Sequence, residues 1–289
     1  MRVVLVITDQ PWYEPTGYAD AWVRALRSEG ADVERLASLP PRWAVDGPPR
    51  DVDLVIPHVL VEEVASFAVT MQLAGVLECS GARLLNPLRA LVTSSDKLAT
   101  AAVWAAAGIP QPRTWDLAGV EEWPSPGRPL VLKPALCDGA RHICLVRDLA
   151  SARDVVASWR KDEAAGGERR GAALLQEWVE EPACVRIFAT PERTSLAYEK
   201  NRDPGALVTS GTVYPRVYGP PAEMAEIARA MVSTLGGGLM GVDVLVDGHG
   251  RCLALEANAP FGFDVTDPEQ GRFVARAALD HGARLGVTP

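Results

Sequence analysis

Residues 240–263, MGVDVLVDGHGRCLALEANAPFGF, constrain this chain more than any other stretch. Two apolar runs, 242–246 and 252–257, flank Asp247-Gly248-His249-Gly250. An Asp-Gly step between alternating apolar runs predicts a β-hairpin. Side chains alternate between faces along a strand, so Glu256 and Asn258 share a face near the end of the second strand. Asp243 lies near the start of the first, and antiparallel pairing brings it back towards them. Two carboxylates and an amide oxygen therefore converge beside the turn Ala259-Pro260-Phe261-Gly262. Acids are seldom placed in apolar strands without partners. Hard oxygen donors suit Mg²⁺, which is usually held by one or two carboxylates plus phosphate oxygens. The plain alternative is a solvated hairpin end carrying ordinary acids.

The rest of the chain supplies a setting. At 289 residues there is room for one large or two modest domains with a substantial core. A net charge of −8 without any basic block argues against nucleic acid as a partner. No apolar run approaches the length that crosses a membrane, and the opening MRVVLVITDQ lacks the features of a signal peptide. Five cysteines (Cys79, Cys137, Cys144, Cys184, Cys252) are dispersed without CxxC spacing. An odd, scattered set argues against a disulfide framework or zinc site and for a reduced, cytoplasmic setting.

Residues 2–8, 31–36 and 53–57 read as strands, and 18–30 and 63–79 as helices. This alternation implies an open α/β domain with a parallel sheet. Ligands of such sheets bind at the carboxyl ends of the strands, which points to Asp9, Trp12, Tyr13, Glu14 and His58 as substrate contacts. Equally, Trp12 and Tyr13 could simply pin the loop 9–17, DQPWYEPTG. A strand near residue 84 leads through Asn86-Pro87 into a helix with Asp96-Lys97 near its end. Lys133 stands inside the apolar strand 130–135, LVLKPA, where a lysine needs a charged partner or must titrate. A polyphosphate is a suitable partner. The short loop around Gly139 and the strand 143–146 follow, an arrangement that folds backbone amides over phosphates. Further on, 149–161 reads as a helix, 173–179 as a strand, 184–189 and 195–200 as a hairpin, and 221–234 and 268–285 as helices.

Asn86-Pro87, Asp96-Lys97, Gly108-Ile109-Pro110, Lys133-Pro134, 176–179, Arg186, Asp243 and Glu256-x-Asn258 occur in one order over roughly residues 84–264. This ordered set resembles the ATP-grasp superfamily, in its RimK-like or D-alanine–D-alanine-ligase-like branch. The resemblance implies an ATP-grasp fold: α/β overall, α+β in the C-terminal half. It has an N-terminal open parallel domain (1–90), a small central lid (91–178) and a C-terminal mixed-sheet domain (179–289). It implies ATP and Mg²⁺, or Mn²⁺, as cofactors, with Asp243, Glu256 and Asn258 on the metal. Lys97 and Lys133 grip phosphate, and Gly139 belongs to a phosphate loop with fewer glycines than many relatives have. Gln176, Glu177, Trp178 and Val179 form the hinge that reads adenine, with Trp178 or Val179 against the ring. Glu180 or Glu181 is available for the ribose; Cys184 stands where RimK-like relatives carry Asp. Arg186, with Lys200 or Arg202, faces the transferred phosphate, and Asp264-Val265-Thr266 line a substrate pocket.

The implied activity is carboxylate–amine ligation through an acyl phosphate, with release of ADP and phosphate. The implied substrate is an amino-acid-like small molecule, and the product a dipeptide or a closed ring of the D-cycloserine kind in antibiotic biosynthesis. Alternatives from other classes are a nucleotide-binding protein that has lost catalysis and a kinase on the same fold. A homodimer stays open.

Overall fold

The computed structural model describes residues 1–6, 18–38, 40–58, 64–136, 141–167, 170–201, 214–259, 261–264 and 266–284. The expected loop 9–17, Gly139, Arg202, Pro260 and Val265 lie outside the described residues.

The N-terminal part alternates as its sequence implies. Strands β1 (Arg2–Val6), β2 (Asp32–Leu36), β3 (Leu54–Pro57) and β4 (Arg83–Leu84) form a parallel sheet in the order β2-β1-β3-β4. Between them run α1 (Tyr18–Ser28), the short α2 (Trp43–Asp46) and α3 (Val64–Cys79). Both central strands are apolar and buried along most of their length, as a sheet covered on two faces requires.

Two helices follow where one was expected: α4 (Leu88–Ser95) and α5 (Lys97–Ala106). Asp96 breaks them, because it is extended and its carboxylate accepts hydrogen bonds from Leu98 N and Ala99 N at 2.8 and 3.0 Å. It is the N-cap of a new helix. Lys97 therefore opens α5 instead of sitting near the end of a single helix.

An antiparallel sheet, β5-β8-β6-β7, is built from Thr114–Asp116, Ala173–Glu177, Leu130–Pro134 and Cys144–Val146 in that spatial order. Helix α6 (Leu149–Ala164) covers it, and the two bury a core of their own around Leu132, Leu175, Val146 and Trp159. The last sheet runs β11-β10-β9-β12-β13: Arg216–Tyr218, Thr194–Glu199, Ala183–Ala189, Met240–Val246 and Cys252–Asn258. The expected hairpin of 242–257 is β12 and β13. Helices α7 (Ala222–Leu235) and α8 (Pro268–Arg284) complete the fold. The short strands β5 and β11 were absent from the sequence reading; three residues carry too little periodicity to declare a strand.

The first and last sheets share their cores. One cluster joins Val4, Val55 and Leu84 to Ile187, Val242 and Met231. Another joins Leu5, Trp22 and Ile56 to Phe188, Phe261 and Val274. A polar joint fixes their relation. The buried Asn86 amide donates to Leu239 O at 2.9 Å and accepts from Gly238 N and Leu239 N at 2.9 and 3.2 Å. Gly238 has no room for a side chain: a Cβ there would lie 2.1 Å from Leu85 O.

Gly238→Ala is accordingly expected to lower the unfolding free energy by about 3 kcal/mol, since the obstacle is backbone and cannot rotate away. Urea unfolding checks this; an unchanged midpoint would show that the joint relaxes around a methyl group.

Candidate active site

The last sheet carries one row of functional side chains across its strands. Tyr198 of β10 stands opposite Arg186 of β9, Arg186 opposite Asp243 of β12, and Asp243 opposite Glu256 of β13. Residues opposite one another in antiparallel strands share a face, so the four side chains project together. The expected convergence of Asp243, Glu256 and Asn258 is therefore present. A bulge between Asp243 and Val244 leaves Leu255 without a partner and separates Glu256 from the regular ladder that follows.

Asp243 is the centre of the row. Its carboxylate accepts from Arg186 Nε at 2.6 Å and Nη2 at 2.9 Å, and from Lys200 Nζ at 2.9 Å. The Asp243 side chain is 3% exposed, against 12% for Arg186 and 9% for Lys200. Burial alone would raise its pKa; Arg186 and Lys200 outweigh burial and bring it down to about 2. Gly241 leaves space for this pairing, since a Cβ there would come within 3.2 Å of Arg186 Nη1. The two ion pairs were not legible in the sequence, because they depend on the register between β9 and β12.

Glu256 takes a second cation. Lys97 Nζ lies 3.1 Å from its Oε1. Lys97 reaches the site because its backbone N–H bonds to Ala135 O at 3.0 Å, tying the start of α5 to the chain just past β6. The same tie brings in Lys133 of β6, which is 7% exposed. Burial lowers the Lys133 pKa to about 8; Glu256 opposes the shift and Lys97 adds to it. Burial pushes Glu256 up, but Lys97, Lys133 and Lys200 prevail against it and against Asp243, and its pKa is lowered. Four cationic side chains thus meet two carboxylates, a balance that favours an anionic ligand.

The oxygen donors also fit a hard divalent cation. Asn258 Nδ2 donates to Gly241 O at 3.2 Å, which fixes the orientation of the amide. Among the described residues no group of three or more His, Cys, Asp and Glu side chains forms a metal cluster. The donor set is two carboxylates and an amide, the short set typical of Mg²⁺ that shares its coordination with phosphate.

The hinge candidates are distributed differently. Gln176 is buried, and its amide donates to Thr114 Oγ1 at 3.0 Å. The Glu177 carboxylate faces Arg113 at 3.4 Å, and the Glu177 N–H donates to Arg113 O at 2.8 Å. Both residues hold β8 to β5. Trp178 and Val179 lie past the end of β8, half-buried, while Glu180 and Glu181 are exposed. Glu181 adopts a left-handed backbone at φ 42°. Cys184 is buried two residues before Arg186 on the same strand, and its carbonyl accepts from Lys200 N–H at 2.8 Å.

His58 directly follows β3 and is buried, edge-on to Trp22 with ring centres 6.3 Å apart. Burial lowers its pKa to about 4 against a hydrogen bond to the Phe261 backbone. Asp264, expected in a substrate pocket, accepts from Thr266 through its side chain, and its N–H donates to Gln270 Oε1 at 2.9 Å. Tyr198 was not anticipated; its hydrophobic neighbours in β10 gave no sign that it shares a row with Arg186.

Asp243→Asn removes a titrating group whose folded pKa is depressed, so its contribution to stability is full above about pH 4 and is lost as pH falls through about 2. The stability difference between wild type and Asp243→Asn should shrink by about 2 kcal/mol over that window. Urea unfolding at stepped pH measures it; a constant difference would contradict the ion pairs.

Residues 94–262 match the ATP-grasp domain family. The chain is 28% identical to a D-alanine–D-alanine ligase of Stutzerimonas stutzeri, an alignment covering 71% of this chain and 67% of that one. Among solved structures, it resembles the D-cycloserine synthetase DcsG at a TM-score of 0.67 and 17% identity, covering 98% of this chain and 100% of that one. It resembles a RimK domain ATP-grasp protein of Sphaerobacter thermophilus at a TM-score of 0.64 and 20% identity, covering 97% and 98%. Those two likenesses speak for the fold. With the family match spanning more than half of its length, the chain belongs to the ATP-grasp domain family.

Proposed function

We propose that the chain is an ATP-dependent carboxylate–amine ligase that forms an amide through an acyl phosphate and releases ADP and phosphate. The observation that carries this reading is the meeting of Lys97, Lys133, Arg186 and Lys200 with Asp243 and Glu256 at one place. Lys97 and Lys133 hold the α and β phosphates. Asp243, Glu256 and Asn258 would hold Mg²⁺ or Mn²⁺, which would supply positive charge against the phosphates. Trp178 or Val179 lies against the adenine, presented by a strand that Gln176 and Glu177 fix, and Glu181 serves the ribose. Gly139 belongs to the loop over the phosphates.

A substrate carboxylate oxygen attacks the γ phosphorus, and the bond to the ADP oxygen breaks. Arg186 and Lys200, joined by Arg202, stabilise the charge on the group in transfer. An amine then attacks the acyl carbon, phosphate leaves and the amine gives up a proton. Phosphoryl transfer depends mainly on position and charge, which these residues supply without a dedicated base.

The substrate is amino-acid-like. Likeness to D-cycloserine synthetase supports ring closure within one molecule, and likeness to a D-alanine–D-alanine ligase supports joining two. Residues 1–90, 91–178 and 179–289 serve as substrate, lid and catalytic units in this proposal. The dispersed cysteines favour a cytoplasmic setting. Among the described residues no helix is long and apolar enough to cross a membrane.

ADP and phosphate release with Mg·ATP, single amino acids, amino-acid pairs and ureido- or hydroxy-substituted analogues tests the activity. Turnover on one defined substrate set should fall by about 10²-fold or more in Lys133→Ala and Glu256→Ala. ADP accumulating with a stable phosphorylated product would instead indicate a kinase. Binding of ATP without turnover across the panel would favour the lapsed nucleotide-binding protein, and no ATP binding would remove the proposal.

Lys133 also sets a pH dependence. Its pKa of about 8 in the unliganded protein rises when phosphates sit beside it, so binding takes up a proton above that pH. Nucleotide affinity should be level below about pH 7 and weaken by up to about tenfold per unit above pH 8. Lys133→Arg should flatten the profile. Titration with a fluorescent ATP analogue from pH 6.5 to 9.5 decides this.

A further inference from the structure

We propose that Lys200 is a tethered counter-ion at the metal position, exchanging with a divalent cation at Asp243 Oδ2, so that the cation enters as its nucleoside triphosphate chelate and not alone. The inference rests on the ATP-site reading above and deepens it.

The argument starts from how Asp243 is held. Oδ1 accepts from Arg186 Nε and Oδ2 from Arg186 Nη2, while Lys200 Nζ adds a further bond at Oδ2. With 3% of its side chain exposed, Asp243 has almost no solvent-facing edge left for a further ligand. Glu256 differs. Its side chain is 28% exposed and meets Lys97 through one oxygen, so it can add a cation while keeping its lysine. A metal that coordinates Asp243 has to displace something.

Arg186 is the harder group to displace. It makes two bonds in a planar fork, and its backbone lies within β9 between β10 and β12. Lys200 makes one bond to Asp243, from a flexible four-carbon stem just past the end of β10. Its backbone N–H is pinned to Cys184 O at 2.8 Å, so the side chain can swing while the chain stays in place. An ammonium and a divalent ion at one carboxylate oxygen repel strongly in a site this far from water.

A lone cation offers the displaced ammonium nothing. A triphosphate chelate brings anionic oxygens beside the cation, and Lys200 gains a phosphate partner as it leaves Asp243. The step is an exchange of partners, from the Asp243 carboxylate to a phosphate oxygen. The exchange gives the site an order, with the metal arriving on the nucleotide.

Mn²⁺ binding, read by the loss of the free-ion paramagnetic resonance signal, tests this without reference to turnover. Wild type, Lys200→Met and Lys200→Gln are titrated with Mn²⁺ alone. At least tenfold tighter Mn²⁺ binding is expected in both variants, with the gain abolished in Lys200→Met/Asp243→Asn. Equal or weaker binding in both single variants overturns the exchange, as does a gain that survives removal of the Asp243 charge. Two substitutions of different polarity guard against one that misfolds, which circular dichroism detects. A parallel titration with Mn²⁺ and a non-hydrolysable ATP analogue separates the two readings. If wild type does not bind the chelate, the ATP-site reading falls, whereas the comparison with Mn²⁺ alone still decides the role of Lys200.

Discussion

A carboxylate buried inside a sheet must be answered by cations, and the answer given to Asp243 organises the C-terminal half of this chain. Ion burial costs several kcal/mol per group even after relaxation, and breaking such a pair by removing one partner typically costs about 3–5 kcal/mol. Arg186 and Lys200 come from β9 and from the end of β10, while Asp243 sits on β12. Three segments are therefore bound to one register. A slip of one residue between β9 and β12 would turn Asp243 to the apolar face and leave Arg186 without its carboxylate. The ionic contacts specify the sheet as much as they hold it.

The lysines from the middle of the chain are placed under tension. Lys133 gives up favourable charge for its position, and its lowered pKa corresponds to about 3 kcal/mol held against the protonated form. The site tolerates this because Glu256 lies opposite and Lys97 is itself paired. In the ATP-site proposal, a polyanion between Lys97 and Lys133 would relieve the repulsion between them and supply what burial took away. Such preorganisation means that little is spent on moving charge once the ligand has arrived.

Much of this was readable from residues alone. The hairpin of β12 and β13 announced itself through Asp247-Gly248 and two alternating runs, and the spacing of Glu256 and Asn258 followed from the strand period. Lys133 stood out as a charge in an apolar strand. The parallel sheet was legible because β1 and β3 are apolar along most of their length. Other features depended on contacts far apart in the chain. Asp96 reads equally well inside a helix or as a cap, and only its two backbone hydrogen bonds decide between them. The engagement of Asp243 by Arg186 spans 57 residues, and that of Glu177 by Arg113 spans 64. No local pattern encodes either. Glu177, expected in a hinge whose backbone reads adenine, has its carboxylate paired with Arg113 just before β5.

The division of the cores shows where the molecule can yield. Asn258 leads through a short turn to Phe261, whose carbonyl is approached by Trp22 Nε1 at 3.4 Å and by His58. The end of the β12–β13 hairpin is thereby fastened to the carboxyl end of the parallel sheet, the end at which ligands of such sheets bind. Asn86 and Gly238 make a second fastening between the same two sheets. By contrast, the core around Leu132 and Trp159 contains residues from the β5–β8 sheet and its surroundings alone. Lys133 sits on that separate body, whereas Asp243 and Glu256 sit on the fastened pair. In the ATP-site proposal, an opening that admits a nucleotide would move Lys133 relative to the two carboxylates, because those carboxylates belong to the fastened sheets. Helix α5 belongs to the fastened pair, since Trp104 is in their shared core and donates to Met231 O, so the hydrogen bond from Lys97 N–H to Ala135 O at 3.0 Å is the contact that crosses to the Lys133 body and that such a motion strains first.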